Sequence, residues 1–245
     1  MQGRKRISVV TICYNAYEEL QYTLRSVAEQ SYPFIEYIVV DGASTDGSNE
    51  LFESYRADID VLISEPDKGI YDAMNKGIKA ATGDYLCFMN AGDTFHSTTT
   101  LEEVFAQVGT NHPDVIYGET DLVDTDRRFL RHRRLSAPLV LTKDSFLRGM
   151  LVCHQSFYPR RELAPLYNLS YRFSSDFDWC IRILKQSQRN HNTHLVLTDY
   201  LSEGVTTQNH KASLRERFQI MRYHYGLART LLAHAYILLR SILKR

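Results

Sequence analysis

Cysteine is scarce in this chain of 245 residues: Cys13, Cys87, Cys153 and Cys180 lie far apart and form no CxxC pair. That excludes a disulfide framework or a zinc knuckle and implies reduced thiols in a cytosolic setting. Glycine-rich phosphate loops are also missing. No GxGxxG follows the first strand-like run, which argues against a dinucleotide-binding oxidoreductase, and no GxxxxGKS/T is present for a P-loop NTPase. HExxH and GxSxG are absent, removing the commonest zinc-protease and serine-hydrolase chemistries. Nor is the chain low in complexity. With 12 glycines, 6 prolines, 44% hydrophobic and 24% charged residues, it has the composition of one sizeable packed domain, or one domain with an appendage. Its opening, MQGRKRISVV, enters a strand-like run too soon to hold a signal peptide.

The net charge is zero, yet it is unevenly spread. Residues 211–245 hold 8 Lys/Arg against one acid, Glu216, for a net +7, whereas residues 1–210 hold 21 Lys/Arg against 28 Asp/Glu, for a net −7. An acidic body with a cationic tail suggests two separate jobs.

The first half alternates between two hydrophobic periods. Ile7–Ile12 is a β-branched run suited to a strand buried on both faces, and Tyr17–Ser31 carries Leu20, Leu24, Val27 and Ala28 at helical spacing. Strands are expected at Tyr37–Val40, Val61–Ser64 and Tyr85–Asn90, with helices through Leu51 and Tyr55 and over Gly69–Ala81. This order implies βαβ units, a mainly parallel sheet flanked by helices, and a ligand site beyond the carboxyl ends of the strands. Tyr14, Asn15, Asp41, Asp67, Lys68, Asn90 and Asp93 all fall at such ends. Four successive polar strand ends point to a nucleotide site. The second half is less regular, with strands at Val115–Tyr117 and Leu195–Tyr200 and a helix over Phe177–Leu184. Between them lies RRFLRHRR at 127–134, read as a solvated face or as a grip on an anionic carrier.

VVTICYN at 9–15, VVDGASTDGS at 39–48, EPDKGIYDAMNKGIKAATGDY at 65–85 and FMNAGDTF at 88–95 together resemble the family 2 glycosyltransferases, of the bacterial exopolysaccharide, O-antigen and colanic acid type. The likeness is dense over 7–95, thinner through CHQSFY, SSDFDW and SEGVTT at 153–207, and lapses after about 210. It implies an α/β GT-A fold, a nucleoside-diphosphate sugar donor, Mg²⁺ or Mn²⁺, and inversion at the sugar carbon. Thr11, Tyr14 and Asn15 would then border the nucleoside and Asp41 would bond its base. Asp67 and Lys68 would sit near the base or diphosphate, Asn90 and Asp93 would face the donor, Asp93 would bind metal, and Asp176 would be the general base. The implied division is a donor half over 1–95, an acceptor half over 96–210 and a tail over 211–245. The metal motif departs from the family's several aspartates, offering one carboxylate and an amide, and Ser175-Asp176 stands where the family has Glu-Asp.

The chemistry asks for these residue types. Charge develops on a departing diphosphate, which a hard cation stabilises, and the attacking hydroxyl must lose a proton to a carboxylate. Asp176 or Asp178 can take that proton, but two residues apart on a helix they point in different directions. Asp41 and Asp93 also suit turns, Asp176 also suits a helix cap, and His154 is either a packed histidine or a group near diphosphate or acceptor.

In the tail, Leu214, Phe218, Met221, Tyr225, Ala228, Leu232, Ala235, Leu239 and Ile242 follow a 4-3 spacing, an amphipathic helix interrupted by Gly226. It would pack on its own domain or a second copy, or lie on anionic lipid at the cytoplasmic face of the membrane, where a lipid-linked saccharide acceptor would be met. No nucleic-acid partner is expected. The competing readings are a sugar-phosphate nucleotidyltransferase and a non-catalytic nucleotide-binding module.

Overall fold

The computed structural model describes residues 5–202 and 210–243. Four strands, β1 (Ile7–Cys13), β2 (Ile35–Asp41), β3 (Val61–Ser64) and β4 (Tyr85–Phe88), form a wholly parallel sheet in the order β3-β2-β1-β4. Helices α1 (Tyr17–Ala28), α2 (Ser48–Ser54) and α3 (Ile70–Ala80) connect them, as the two hydrophobic periods predict. β1 is buried on both faces. Val10 and Ile12 pack with Ala73, Met74 and Ile78 of α3, while Val9 and Cys13 join Leu20 and Leu24 of α1. Each such apolar side chain contributes roughly 1.5–3 kcal/mol by leaving water. The strand order runs outward from β1 to β3 and then returns to β4. The crevice between the carboxyl ends of β1 and β4 is therefore where a ligand site forms.

A second sheet runs β5-β9-β6-β7, built from β5 (Thr94–Phe95), β6 (Val115–Val123), β7 (Phe129–His132) and β9 (Asn190–Leu201). β8 (Phe157–Pro159) pairs with β6, and a Tyr85–Arg160 bridge joins this sheet to β4. Helix α4 (Thr100–Val108) follows β5, and α5 (Ser175–Leu184) carries Trp179, whose ring stacks on Tyr167 with centroids 4.9 Å apart. The sequence pattern predicts only the apolar cores of β6 and β9. It misses β5 and β8, of two and three residues, which are too short to show a period, and β7, whose four residues are all exposed. The arginine-rich run becomes edge strand β7, exposed along its length, but Arg127 and Arg133 at its ends turn inward.

The expected single tail helix is two helices, α6 (His210–Tyr225) and α7 (Leu227–Leu243), broken where Gly226 adopts φ +80°. The 4-3 seam splits with it. Met221 and Tyr225 are buried with Ile220 in the core, whereas Leu214, Leu232 and Leu239 are exposed. α6 is tied to the body by polar contacts as well. The Glu216 carboxylate accepts the Arg172 and Phe173 N–H groups at 2.8 Å, and His224 pairs with Asp178 at 2.7 Å.

Candidate active site

The turn after β4 is the first wall of the site. Gly92 takes φ +99°, and a Cβ there would meet the Leu201 side chain at 2.9 Å, so the turn needs glycine. Thr23 of α1 locks it, its hydroxyl donating to the Asp93 carbonyl at 2.8 Å and accepting the Gly92 N–H at 3.0 Å. Arg127 donates to the Gly92 carbonyl from outside while lying over the Tyr22 ring. Asp93 is thereby held inward and is almost fully buried. Its Oδ2 accepts from Gln155 Nε2 at 2.7 Å and its Oδ1 from the Leu201 N–H at 3.1 Å. Burial outweighs these donors and pushes its pKa up to about 7.

Asp93 opens onto a cavity of about 340 Å³ that also receives Asn90, His154 and Asp176. These four expected residues come from three separate stretches of chain. Asp176 lies in the first turn of α5, partly exposed, with Oδ1 accepting the Tyr71 hydroxyl at 3.0 Å. His154 stacks on Phe88 and its Nε2 meets the Tyr167 hydroxyl at 2.8 Å. Burial drives its pKa down to about 4, so it is a neutral, shape-setting ring. Asn90 Oδ1 is buried and has no hydrogen-bond partner among the described residues.

That orphan oxygen bears on whether a metal fits. A hard divalent cation that keeps several waters and substrate phosphates needs only one or two protein oxygens. Asn90 Oδ1 and the Asp93 carboxylate supply a neutral and an anionic oxygen in one cavity, so the residues present fit Mg²⁺ or Mn²⁺.

The remaining expected residues are not in this cavity. At the β1–β2 rim, Asn15 adopts φ 47°, donates its N–H to Ser44 Oγ at 2.8 Å and accepts the Thr45 N–H at 2.8 Å. Tyr14 is exposed beside Gly42, where a Cβ would meet Asp67 Oδ2 at 2.6 Å and the Tyr14 ring at 3.1 Å. Asp67 and Lys68 stay near this rim, but the Gly69 and Lys68 N–H groups are taken by Asp67 and Asp72, which leaves less of the α3 start for phosphate.

Three of the expected residues are engaged by other protein groups. Asp41 has no exposed surface, and its carboxylate accepts from Ser44 and Ser64, so it braces the rim loop. The Thr11 hydroxyl is spent in the core on Tyr37 at 3.0 Å. Asp178 turns away from the cavity to Arg182 at 2.8 Å and His224 at 2.7 Å, which removes it as a base.

The cavity also holds Arg133, from the arginine-rich run, and residues that sequence reasoning passed over: Tyr71, Gln155, Tyr200 and Arg217. Tyr71 and Gln155 fall within the quoted motifs, where they could have been noticed. Arg217 comes from α6, and nothing in its local pattern separates it from the other tail cations.

The family model for glycosyl transferase family 2 matches residues 8–169. The PGL/p-HBAD biosynthesis glycosyltransferase of Mycobacterium bovis is 30% identical over 205 residues, covering 80% of this chain and 77% of that protein. TuaG of Bacillus subtilis, named for teichuronic acid biosynthesis, is 25% identical over 89% of this chain and 90% of its own length. Among solved structures, S. aureus TarS 1–349 in complex with UDP matches at a TM-score of 0.72 with 18% identity, covering 95% of this chain and 70% of that one. The mannosyltransferase PcManGT from Pyrobaculum calidifontis, in complex with GDP-Man and Mn²⁺, matches at 0.68 with 19% identity over 96% of this chain and 70% of its own.

Proposed function

This chain belongs to glycosyl transferase family 2, and on that premise we propose that it carries out an inverting, metal-assisted transfer of one sugar from a nucleoside diphosphate to a hydroxyl of a saccharide. It is a glycosyltransferase with the GT-A fold. The relatives named for PGL/p-HBAD and teichuronic acid biosynthesis support a cell-surface saccharide as the product.

One observation carries the mechanism: Asp93 and Asp176, from different halves of the chain, line one cavity. Asp176 takes the proton from the acceptor hydroxyl as it attacks the sugar carbon. Tyr71 holds Oδ1, and Oδ2 has no hydrogen bond from the described residues, which leaves it for the hydroxyl. Asp93 and Asn90 would hold Mg²⁺ or Mn²⁺, which neutralises charge developing on the departing diphosphate. Arg133 and Arg217 bring two further cations to the same cavity. Arg133 is fixed by donating to the Leu135, Met150 and Leu151 carbonyls. The nucleoside would rest on the β1–β2 rim against Tyr14, with Asn15, Asp41, Asp67 and Lys68 shaping that rim. Proton removal on one side and leaving-group stabilisation on the other make a single displacement, hence inversion.

The acceptor is lipid-linked in this reading, and the enzyme works on the cytoplasmic face of the membrane. No described helix is long and apolar enough to cross a membrane. α7 instead exposes Leu231, Leu232, Leu238 and Leu239, a face suited to lying in an interface.

Thermal shift with UDP, GDP, CDP and dTDP sugars, with Mn²⁺ and with chelator, tests the donor side. A ligand at about 100 times its Kd stabilises a fold by about 2.7 kcal/mol, a rise of a few degrees. We expect such a rise for one base and only with metal. Silence across the panel from a folded protein would sink the reading.

A further inference from the structure

The second sheet carries a cluster of metal-ligating side chains that the catalytic reading does not use. Asp121 of β6 and Asp199 of β9 are register partners on adjacent strands. His96, the residue after β5, is held at the same level because Thr94 is register partner to Asp199 and the His96 N–H bonds the Leu197 carbonyl at 3.2 Å. Ligand atoms of His96, Asp121 and Asp199 all lie within 4.8 Å of one another. His132 of β7 is register partner to Asp121, with its Nδ1 at 2.7 Å from Asp121 Oδ1. Strands β6 and β9 and the residue after β5 thus present two carboxylates and an imidazole to one point, with His132 of β7 behind Asp121.

We propose that His96, Asp121 and Asp199 form a binding site for a borderline divalent ion of the zinc class, with His132 holding the Asp121 carboxylate in place. One imidazole and two carboxylates, with water in the fourth position, are a donor set that such an ion takes, with Zn–N and Zn–O bonds of about 2.0–2.2 Å. The His96 Nδ1 to Asp199 Oδ1 separation of 2.8 Å is short enough for both atoms to bind one ion at those lengths. The strands themselves set the spacing, so little ordering is left for the ion to impose. Two carboxylates directly opposite on neighbouring strands repel each other, and a divalent cation between them removes that cost. The ion has a route in, because His96 and Asp199 border an open groove of about 250 Å³ beside α1.

This site is separate from the catalytic cavity. Side chains alternate across a strand. Leu122 and Tyr200 line the catalytic cavity, and their neighbours Asp121 and Asp199 face the other way. The ion would clamp the end of β5 to β9 and β6. It would thereby steady β9, whose Tyr200 side chain and Leu201 N–H reach the catalytic side.

Calorimetric titration of the full chain with Zn²⁺ alone, without nucleotide, tests this. We expect Asp93→Asn, which lacks the catalytic carboxylate, still to bind one ion per chain, and the wild type to show a higher Tm with Zn²⁺. His96→Gln should weaken binding by about tenfold or more, and adding His132→Gln should weaken it further. Both histidines are exposed enough for these changes to leave the fold intact. Absence of binding heat would overturn the proposal. So would heat that vanishes in Asp93→Asn, or equal affinity in the wild type and the His96→Gln/His132→Gln double variant, which would leave only two ordinary His–Asp pairs.

Discussion

Asp93 sits in a turn gripped by Thr23, Arg127 and Gln155, whereas Asp176 stands at the start of a helix with the Tyr71 hydroxyl on one oxygen. The first belongs to the regular donor half and is nearly sealed from solvent. The second belongs to the irregular half and keeps part of its surface open. A group that must bind an ion gains from fixed geometry, while a group that must exchange a proton needs an oxygen left free. The contrast therefore matches the two roles proposed for them, and each change below bears on it.

The largest effect is expected at Asp176. Asp176→Asn keeps the shape and removes the base, so turnover should fall by about 10²–10⁴-fold. Donor-induced thermal shift should survive, because Asp93, Asn90 and the β1–β2 rim are untouched. Unchanged turnover would remove Asp176 from the mechanism and erase the contrast.

Asp93 should respond to pH where Asp176 carries the chemistry. Its folded pKa is raised to about 7, so its proton is held at pH values where an ordinary carboxyl has lost it. Metal must displace that proton, so Mn²⁺ affinity should be about tenfold weaker at pH 6 than at pH 8. The sign for stability is the opposite. The folded form binds more protons than the unfolded one between about pH 4 and 7, so this group alone lowers unliganded stability as pH rises through that window. Calorimetry of Mn²⁺ binding at the two pH values, beside Asp93→Asn, checks it. In the variant the pH dependence should disappear along with most of the affinity.

Tyr71→Phe probes how Asp176 is aimed. The hydroxyl gives one charge-assisted hydrogen bond, worth about 1.5 kcal/mol at the low end, so kcat should drop by about tenfold with KM for the donor unchanged. An equal loss in KM would mean that Tyr71 shapes the donor site instead.

How far the sequence disclosed this arrangement follows from where each residue gets its position. β1 to β4 and their helices repeat a period that local chemistry dictates, so the first sheet and the turn holding Asp93 were legible. Asp41 falls in the loop that the motif indicates, but only packing reveals that Ser44 and Ser64 bond its carboxylate. Asp178 looked equivalent to Asp176 until α6 brought His224 to it. Arg133 and Arg217 reach the cavity only through contacts between segments distant in sequence, and no window of residues contains that information.

The tail repeats the contrast between what is tied in and what is left free, and it yields the smallest catalytic effect. One apolar period runs through α6 and α7, but α6 uses it to pack Ile220, Met221 and Tyr225 into the core, while α7 leaves Leu232 and Leu239 72% and 59% exposed. Exposed leucines contribute little to folding, so Leu232→Glu with Leu239→Glu should leave Tm and transfer to a soluble acceptor nearly unchanged. Binding to anionic vesicles should fall sharply, since each change removes apolar area from the interface and adds a charge that anionic lipid repels. Vesicle sedimentation beside a soluble-acceptor assay separates the two effects. A variant that loses both would place α7 with α6 as part of the folded body. A variant that loses neither, but no longer forms dimers, would assign this face to a second copy of the chain.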